Sequence, residues 1–196
     1  MSIINVDIDK CVGCNACVRA CPVGDANIAR MDENGKLKIT IDDEKCIKCG
    51  ACIRACSHGA RSYIDDTEQF LNDLNHGQEI ALIAAPSIKI AFDGNWRHAL
   101  QWLHDHGAKK IYDVSFGADI CTWAHLRYLE RNPGKKLISQ PCAAVVNYVQ
   151  RHKPELFSNL SPIHSPMLCL AVYMKKGLGY RGKIAAISPC VAKIEE

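Results

Sequence analysis

The chain has 196 residues, 48% of them hydrophobic, with 24 Lys and Arg against 21 Asp and Glu (net charge +3) and 12 cysteines. That length allows one ordinary domain or two small ones, and so small a charge excess gives no electrostatic reason to bind nucleic acid or an anionic membrane. No apolar run reaches the roughly 20 residues that a membrane span needs, and the opening MSIINVDIDKCVGC lacks the basic flank and apolar stretch of a signal peptide. Such a chain is expected in the reducing cytoplasm, where twelve cysteines do not make a disulfide framework, so metal binding is the expectation.

Eight of the cysteines fall in the first 56 residues and form a repeat. The frame D-x-x-K-C-x-x-C-x-A-C-x-R-A-C begins at Asp7 and again at Asp42, an offset of 35 residues. Between the copies, RMDENGKLKIT predicts a hairpin: Asn34-Gly35 is a two-residue turn signal, and Leu37, Ile39 and Ile41 alternate after it. The residues 64–67 read as a linker ending in a helix N-cap, and EQFLNDLNHG as the helix, stopped at Gly77. Four apolar runs follow, at 79–86, 109–116, 135–141 and 183–189, with helical stretches at about 88–106, 118–131, 142–152 and 165–177. Continuous rather than alternating apolar runs fit strands covered on both faces, and their alternation with helices predicts a parallel sheet. The division is therefore 1–64, a cysteine-dense module whose small core must lean on metal, and 65–196, an α/β lobe.

The run Cys11, Cys14, Cys17, Cys21-Pro22 is the C-x2-C-x2-C-x3-C-P spacing of bacterial ferredoxins, which holds iron–sulfur cubanes of the 4Fe-4S type. In that α+β fold the fourth cysteine of each run serves the other cluster, so the expected ligand sets are Cys11, Cys14, Cys17 with Cys56, and Cys46, Cys49, Cys52 with Cys21. The second run lacks the proline, since Ser57 and His58 follow Cys56. Paired structural zinc sites are the alternative, but they space two C-x2-C pairs by a dozen or more residues and do not explain two triple runs. Two 4Fe-4S clusters imply one-electron transfer.

The α/β lobe resembles the first half of the catalytic domain of iron-only (FeFe) hydrogenases. The resemblance is carried by APSIKIAF (85–92), KKIYDVSFGADICTW (109–123), SQPCAAVVNYVQRHKPELFSNLSPIHSPM (139–167) and SPCVAKIEE (188–196). It implies an H-cluster, in which four cysteines hold a cubane bridged to a two-iron subsite. Cys142 matches the first of those ligands and Cys190 the second; the other two come from a later C-x3-C motif absent from this chain. Ser87, with Pro86, matches a contact to one cyanide of that subsite, and Lys193 the lysine that donates to the other. Read without the family, the two cysteines each follow a predicted parallel strand, at the edge where open α/β sheets bind ligands.

Several positions depart from the standard catalytic pattern. Pro141 stands where catalytic members place a proton-shuttling cysteine, Met167 replaces a glutamine and Ser188 a methionine, and His125 and Tyr128 lie near the positions of proton-path carboxylates. This combination resembles the sensory branch of the family. Cys121 and Cys169 are expected to pack the core, as are Trp96, Trp102 and Trp123 at the helix–sheet interface; His58 and His125 are candidates to tune a cluster by hydrogen bonding. The resemblance implies an electron-relaying protein of an anaerobe, fed by a redox partner such as a ferredoxin or an oxidoreductase. It implies hydrogenase activity only where a downstream segment or a partner subunit completes the H-cluster domain, the chain alone being inactive. A stand-alone electron carrier or docking module, and a hydrogenase-like iron–sulfur assembly protein, are the alternatives.

Overall fold

A computed structural model describes residues 3–196; residues 1 and 2, the head of the predicted 1–64 domain, lie outside the described residues. The chain divides into two compact units that do not follow the sequence order. The first comprises residues 1–65 together with 143–158 and 190–196; the second comprises 66–142 and 159–189.

In the first unit two antiparallel strand pairs frame two short helices. Strand β1 (Ile4–Val6) pairs with β4 (Arg61–Tyr63), and β2 (Asn27–Met31) with β3 (Leu37–Ile41). Helices α1 (Ala16–Arg19) and α2 (Ala51–Arg54) each start within a cysteine run. The hairpin is present, but its last pair is Met31–Leu37, so the turn spans residues 32–36 rather than Asn34-Gly35 alone. Asp32 decides this: its carboxylate accepts from the backbone N–H groups of Asn34 and Lys36, which widens the loop. One core cluster joins the buried Ile4, Ala26 and Ile39 to Cys17, Cys46 and Cys52, so cysteines make up half of its buried members. Helix α7 (Ala143–His152) and the 3-10 turn Val191–Glu195 also belong to this unit.

The second unit is built on a parallel sheet ordered β6-β5-β7, with β5 at Ile80–Ala84, β6 at Lys110–Asp113 and β7 at Lys183–Ile187. Every residue of β5 is buried. Ile80 and Leu82 face Leu74 of α3 (Thr67–Asn75), Ala108 and Leu103 of α5 (Trp96–Asp105). Ala81 and Ile83 face Leu170 of α8 (Pro166–Val172) and Met174 of the π-turn that continues it. A strand covered on both faces is why its sequence is apolar throughout.

Three expectations need correction. The run 135–141 is not a strand: Ile138 makes one parallel bridge to Leu160, Pro141 has no N–H to donate, and the Gln140 side chain donates to Ser161 O and Ile163 O. Cys142 therefore follows an extended loop, while Cys190 does follow a parallel strand, separated from Ile187, the last residue of β7, by Ser188 and Pro189. The stretch 88–106 is two helices, α4 (Ile88–Ala91) and α5, because Asp93 and Gly94 take positive φ and reverse the chain between them. Trp102 and Trp123 do not fill the interface; they are exposed, Trp102 stacking on His106 and Trp123 lying beside the Arg127 guanidinium.

Strand β6 ends at Asp113, which caps α6 (Val114–Arg131) by accepting from Ser115 N at 2.7 Å. That cap starts the helix four residues earlier than the apolar pattern suggests. The Ser115 N–H bond holds the Asp113 carboxyl below the usual carboxylate range. Its stabilisation is thus present above the ordinary carboxylate pKa and lost as pH falls through the lowered value. Asp113→Ala is expected to cost about 1 kcal/mol at neutral pH, with the gap from wild type closing in acid. Asp113→Asn should keep the cap and lose that pH dependence, which thermal melts from pH 7 downward would read.

Candidate metal centre

Each cysteine run is shaped by two residues in the left-handed region. In the first, Gly13 (φ 69°) and Asn15 (φ 60°) take it; in the second, at the repeat-related positions, Lys48 (φ 60°) and Gly50 (φ 74°) do. Such turns aim successive backbone N–H groups at one side, a concavity suited to an anion. Gly13 is required twice over, since a Cβ there would strike Leu37 O and come within 2.9 Å of Leu37 Cβ. Backbone N–H groups already reach the thiols: Ile39 N lies 3.4 Å from Cys11 Sγ, and Lys48 N 3.4 Å from Cys46 Sγ.

The twelve cysteines are all unbridged. Cys11, Cys14, Cys17 and Cys56 line one cavity, whose walls also include Ile39, His58 and Arg61. Cys21, which follows Cys17 in sequence, is not among its walls. The other thiols meet elsewhere. Burial raises the Cys46 thiol, and after the opposing Lys48 N–H bond its next influences are Cys49 and Cys21. Burial pushes Cys52 up to about 11, Arg61 opposes this, and Cys46, Cys49 and Cys17 add to it. Among the described residues no three Cys, His, Asp or Glu side chains close on one ion position. Four thiols around a space, with N–H groups aimed at sulfur and a buried cation in the wall, fit a multi-atom anionic cluster and not a single zinc ion.

The two runs are tied down by different elements. Lys38 of β3 donates to Ile8 O (2.9 Å) and Cys11 O (2.8 Å) in the first. For the second, Arg151 donates to Asp43 O and Cys46 O, His152 Nε2 donates to Lys45 O (2.7 Å), and Asn147 donates to Ile47 O (3.4 Å), all from α7. Lys48 pairs with Glu195, which also accepts from Asn147 at 2.6 Å. Burial works against ionisation of Glu195, but the bonds from Lys48 and Asn147 outweigh it and hold the carboxyl below its usual range.

The chain matches a profile described as the iron-only hydrogenase large subunit, C-terminal domain, over residues 78–196, and one described as a 4Fe-4S dicluster domain over residues 10–60. The chain belongs to the iron-only hydrogenase family. Its dicluster domain, with eight cysteines, carries two 4Fe-4S clusters. Its fold is similar to a solved FeFe-hydrogenase from work on oxygen inactivation through modification and degradation of the H-cluster 2Fe subcluster, with TM-score 0.52 and 18% identity. That similarity covers 67% of this chain and 40% of the solved one, so the chain spans less than half of that relative. No curated protein matches.

The residues matched to the H-cluster are distributed over both units. Ser87 is exposed at the N-cap of α4, beyond the carboxyl end of β5, and Cys142 is half-buried; both belong to the second unit. Cys190, half-buried, and Lys193, whose ammonium lies 2.5 Å from Glu196, belong to the first. Cys121 and Cys169 are buried and both donate to His164 O. His125 is engaged with its own helix and Ser161: Nδ1 donates to Cys121 O (2.8 Å), so Nε2 accepts from the Ser161 hydroxyl (2.8 Å). His58 lines the first cavity.

Sequence reasoning missed Lys38, Arg61, Asn147 and Arg151. For Arg61 a signal existed: the 35-residue offset pairs it with Ala26, a break in the internal symmetry. The others contact backbone carbonyls, and no residue pattern announces that.

Proposed function

We propose that this chain is the N-terminal part of a sensory-type FeFe-hydrogenase, relaying electrons through two 4Fe-4S clusters toward an H-cluster-type site that it half supplies. The cavity walled by Cys11, Cys14, Cys17 and Cys56 carries the relay reading. Those four would hold the first cluster, and Cys46, Cys49, Cys52 and Cys21 the second. When bound, the clusters supply one-electron chemistry without proton transfer. The chain's own part is to exclude water, orient thiols and aim N–H groups at sulfur. Cys17 and Cys52 lie in one buried core, which supports a short path from one set to the other. Cys14 is exposed, which suits the first set to receive electrons from a ferredoxin or oxidoreductase.

Cys142 and Cys190 would be two ligands of the H-cluster cubane, with Ser87 and Lys193 as donors to its cyanides, once a downstream segment or a partner subunit brings the rest. Unbridged cluster cysteines, Cys14 among them exposed, suit the reducing cytoplasm of an anaerobe; among the described residues no helix is long and apolar enough to cross a membrane. Anaerobic iron and sulfide analysis with EPR tests the relay. About eight irons per chain and two reduced-cubane signals are expected, with no hydrogen evolved by this chain alone; bound zinc without iron would refute the reading. The sensory assignment rests on Pro141, which has no transferable proton where a general acid is needed. In a completed and matured protein, Pro141→Cys is expected to raise hydrogen turnover by up to about 10²–10⁴-fold, and an unchanged rate would count against it.

A further inference from the structure

Arg61 is buried, 6% exposed, and its neighbours leave it half satisfied. One terminal nitrogen donates to Cys17 Sγ and to Ile39 O, each at 3.3 Å. The other, Nη1, is buried with no hydrogen-bond partner, and the residue lines the cavity of Cys11, Cys14, Cys17 and Cys56. Among the described residues no carboxylate forms an ion pair with it, although Lys48, Lys110 and Lys183 each find one. A guanidinium cannot shed its charge, and a buried, unpaired one is costly. Its natural counter-charge is an anion in the cavity it lines.

The second run offers a contrast. Its buried cation, Lys48, is neutralised by Glu195, so that pair adds no net charge beside Cys46 and Cys49. Among the described residues Arg61 donates to a cysteine of the first set, Cys17, and to none of the second. The repeat puts Ala26 where the second copy has Arg61, so the charge is not duplicated.

We propose that Arg61 is the counter-cation of the first cluster and sets it at a higher reduction potential than its thiolates alone would give, with a weaker effect on the second. This rests on the relay reading above. Reduction adds one electron and one negative charge to the cluster, supplied by the redox partner and compensated by no proton; a fixed positive charge within hydrogen-bond reach favours the reduced state. Arg61 is a positioning and tuning residue, and its role is read in a potential, not in turnover.

The test is an anaerobic redox titration of the full chain followed by EPR, with Cys14→Ser used to assign the first cluster's signal. Arg61→Gln, which keeps bulk and hydrogen bonding but not charge, is expected to shift the first cluster's reduced-to-oxidised ratio at fixed potential at least tenfold toward oxidised. For a one-electron couple that is about 59 mV. The second cluster should shift less, and Arg61→Lys should restore most of the first. An unchanged first cluster, or equal shifts in both, overturns the proposal. Wild-type protein that binds no iron would overturn the relay reading itself, whereas full iron content with unmoved potentials overturns only this inference. If Arg61→Gln fails to retain iron, pulsed EPR on wild type labelled with ¹⁵N-arginine, compared with Arg61→Lys, decides it. A ¹⁵N coupling on the first cluster that the Lys protein lacks supports the role, and no such coupling overturns it.

Discussion

Cys14→Ser and Cys56→Ser are expected to extinguish the same EPR signal, each leaving about half of the iron, although the two residues sit in opposite copies of the repeat. Cys49→Ser and Cys21→Ser should extinguish the other. The reason is the cavity. Its thiols are three from the first run and one from the second, and Cys21, the nearer residue in sequence, is not among its walls. The influence of Cys21 is felt at Cys46 instead. A cubane corner that loses its thiolate is left with a harder oxygen ligand or water, which iron–sulfur centres tolerate poorly. Because three of the six buried residues in the cluster around Ile39 are cysteines, each lost iron–sulfur cluster should also lower the unit's melting temperature, since binding energy here is folding energy. Pairing of Cys14→Ser with Cys21→Ser in one signal would mean that each run serves its own cluster, and would sink the crossed assignment.

How much of this was legible beforehand depends on where the chemistry sits. The two cysteine runs were readable because the four cysteines of each lie within a dozen residues of one another, in a spacing that marks 4Fe-4S ferredoxins; Cys11 to Cys21 needs no tertiary information, whereas the proposed exchange of Cys21 and Cys56 between clusters does. Strand β5 was readable because burial on both faces leaves an unbroken apolar run. The run 135–141 carried the same outward pattern and failed, since periodicity cannot see that Pro141 has no N–H to give a ladder or that Gln140 is committed to Ser161 O. Trp102 and Trp123 failed for a related reason: aromatic residues are placed inside by default, yet each here finds a His or Arg partner at the surface. Least legible was the membership of α7 and the last seven residues in the cysteine-rich unit. The α7 contacts cross about 100 residues of sequence and end on backbone carbonyls, which every residue possesses, and Glu195 reaches Lys48 across 147 residues.

Those contacts yield the second large expected effect: loosening α7 should strip the second cluster and spare the first. Asn147 is buried and donates both to Ile47 O and to Glu195, and Arg151 holds the carbonyls of Asp43 and Cys46. Asn147→Leu leaves Ile47 O without its donor and Glu195 with one partner fewer; a buried polar group so stranded costs about 1–3 kcal/mol. Adding Arg151→Met releases two more carbonyls at the mouth of the loop. A shift of that size is roughly ten- to hundredfold in the loop's grip on iron. Anaerobic iron release to a chelator, followed by EPR, should become biphasic, the signal assigned to Cys46, Cys49 and Cys52 fading first. Lys38→Met, which frees Ile8 O and Cys11 O, should reverse the order. Equal loss of both signals in both proteins would refute the division of labour. The consequence reaches function through the covalent chain: α7 starts at the residue after Cys142, and the turn bearing Glu195 starts at the residue after Cys190. The two segments that grip the second loop are thus the ones leading directly from the two cysteines matched to the H-cluster. On the proposed function, this makes the second cluster the one that hands electrons on. A protein that keeps the first cluster but loses the second should still be reduced by its partner, yet pass nothing further.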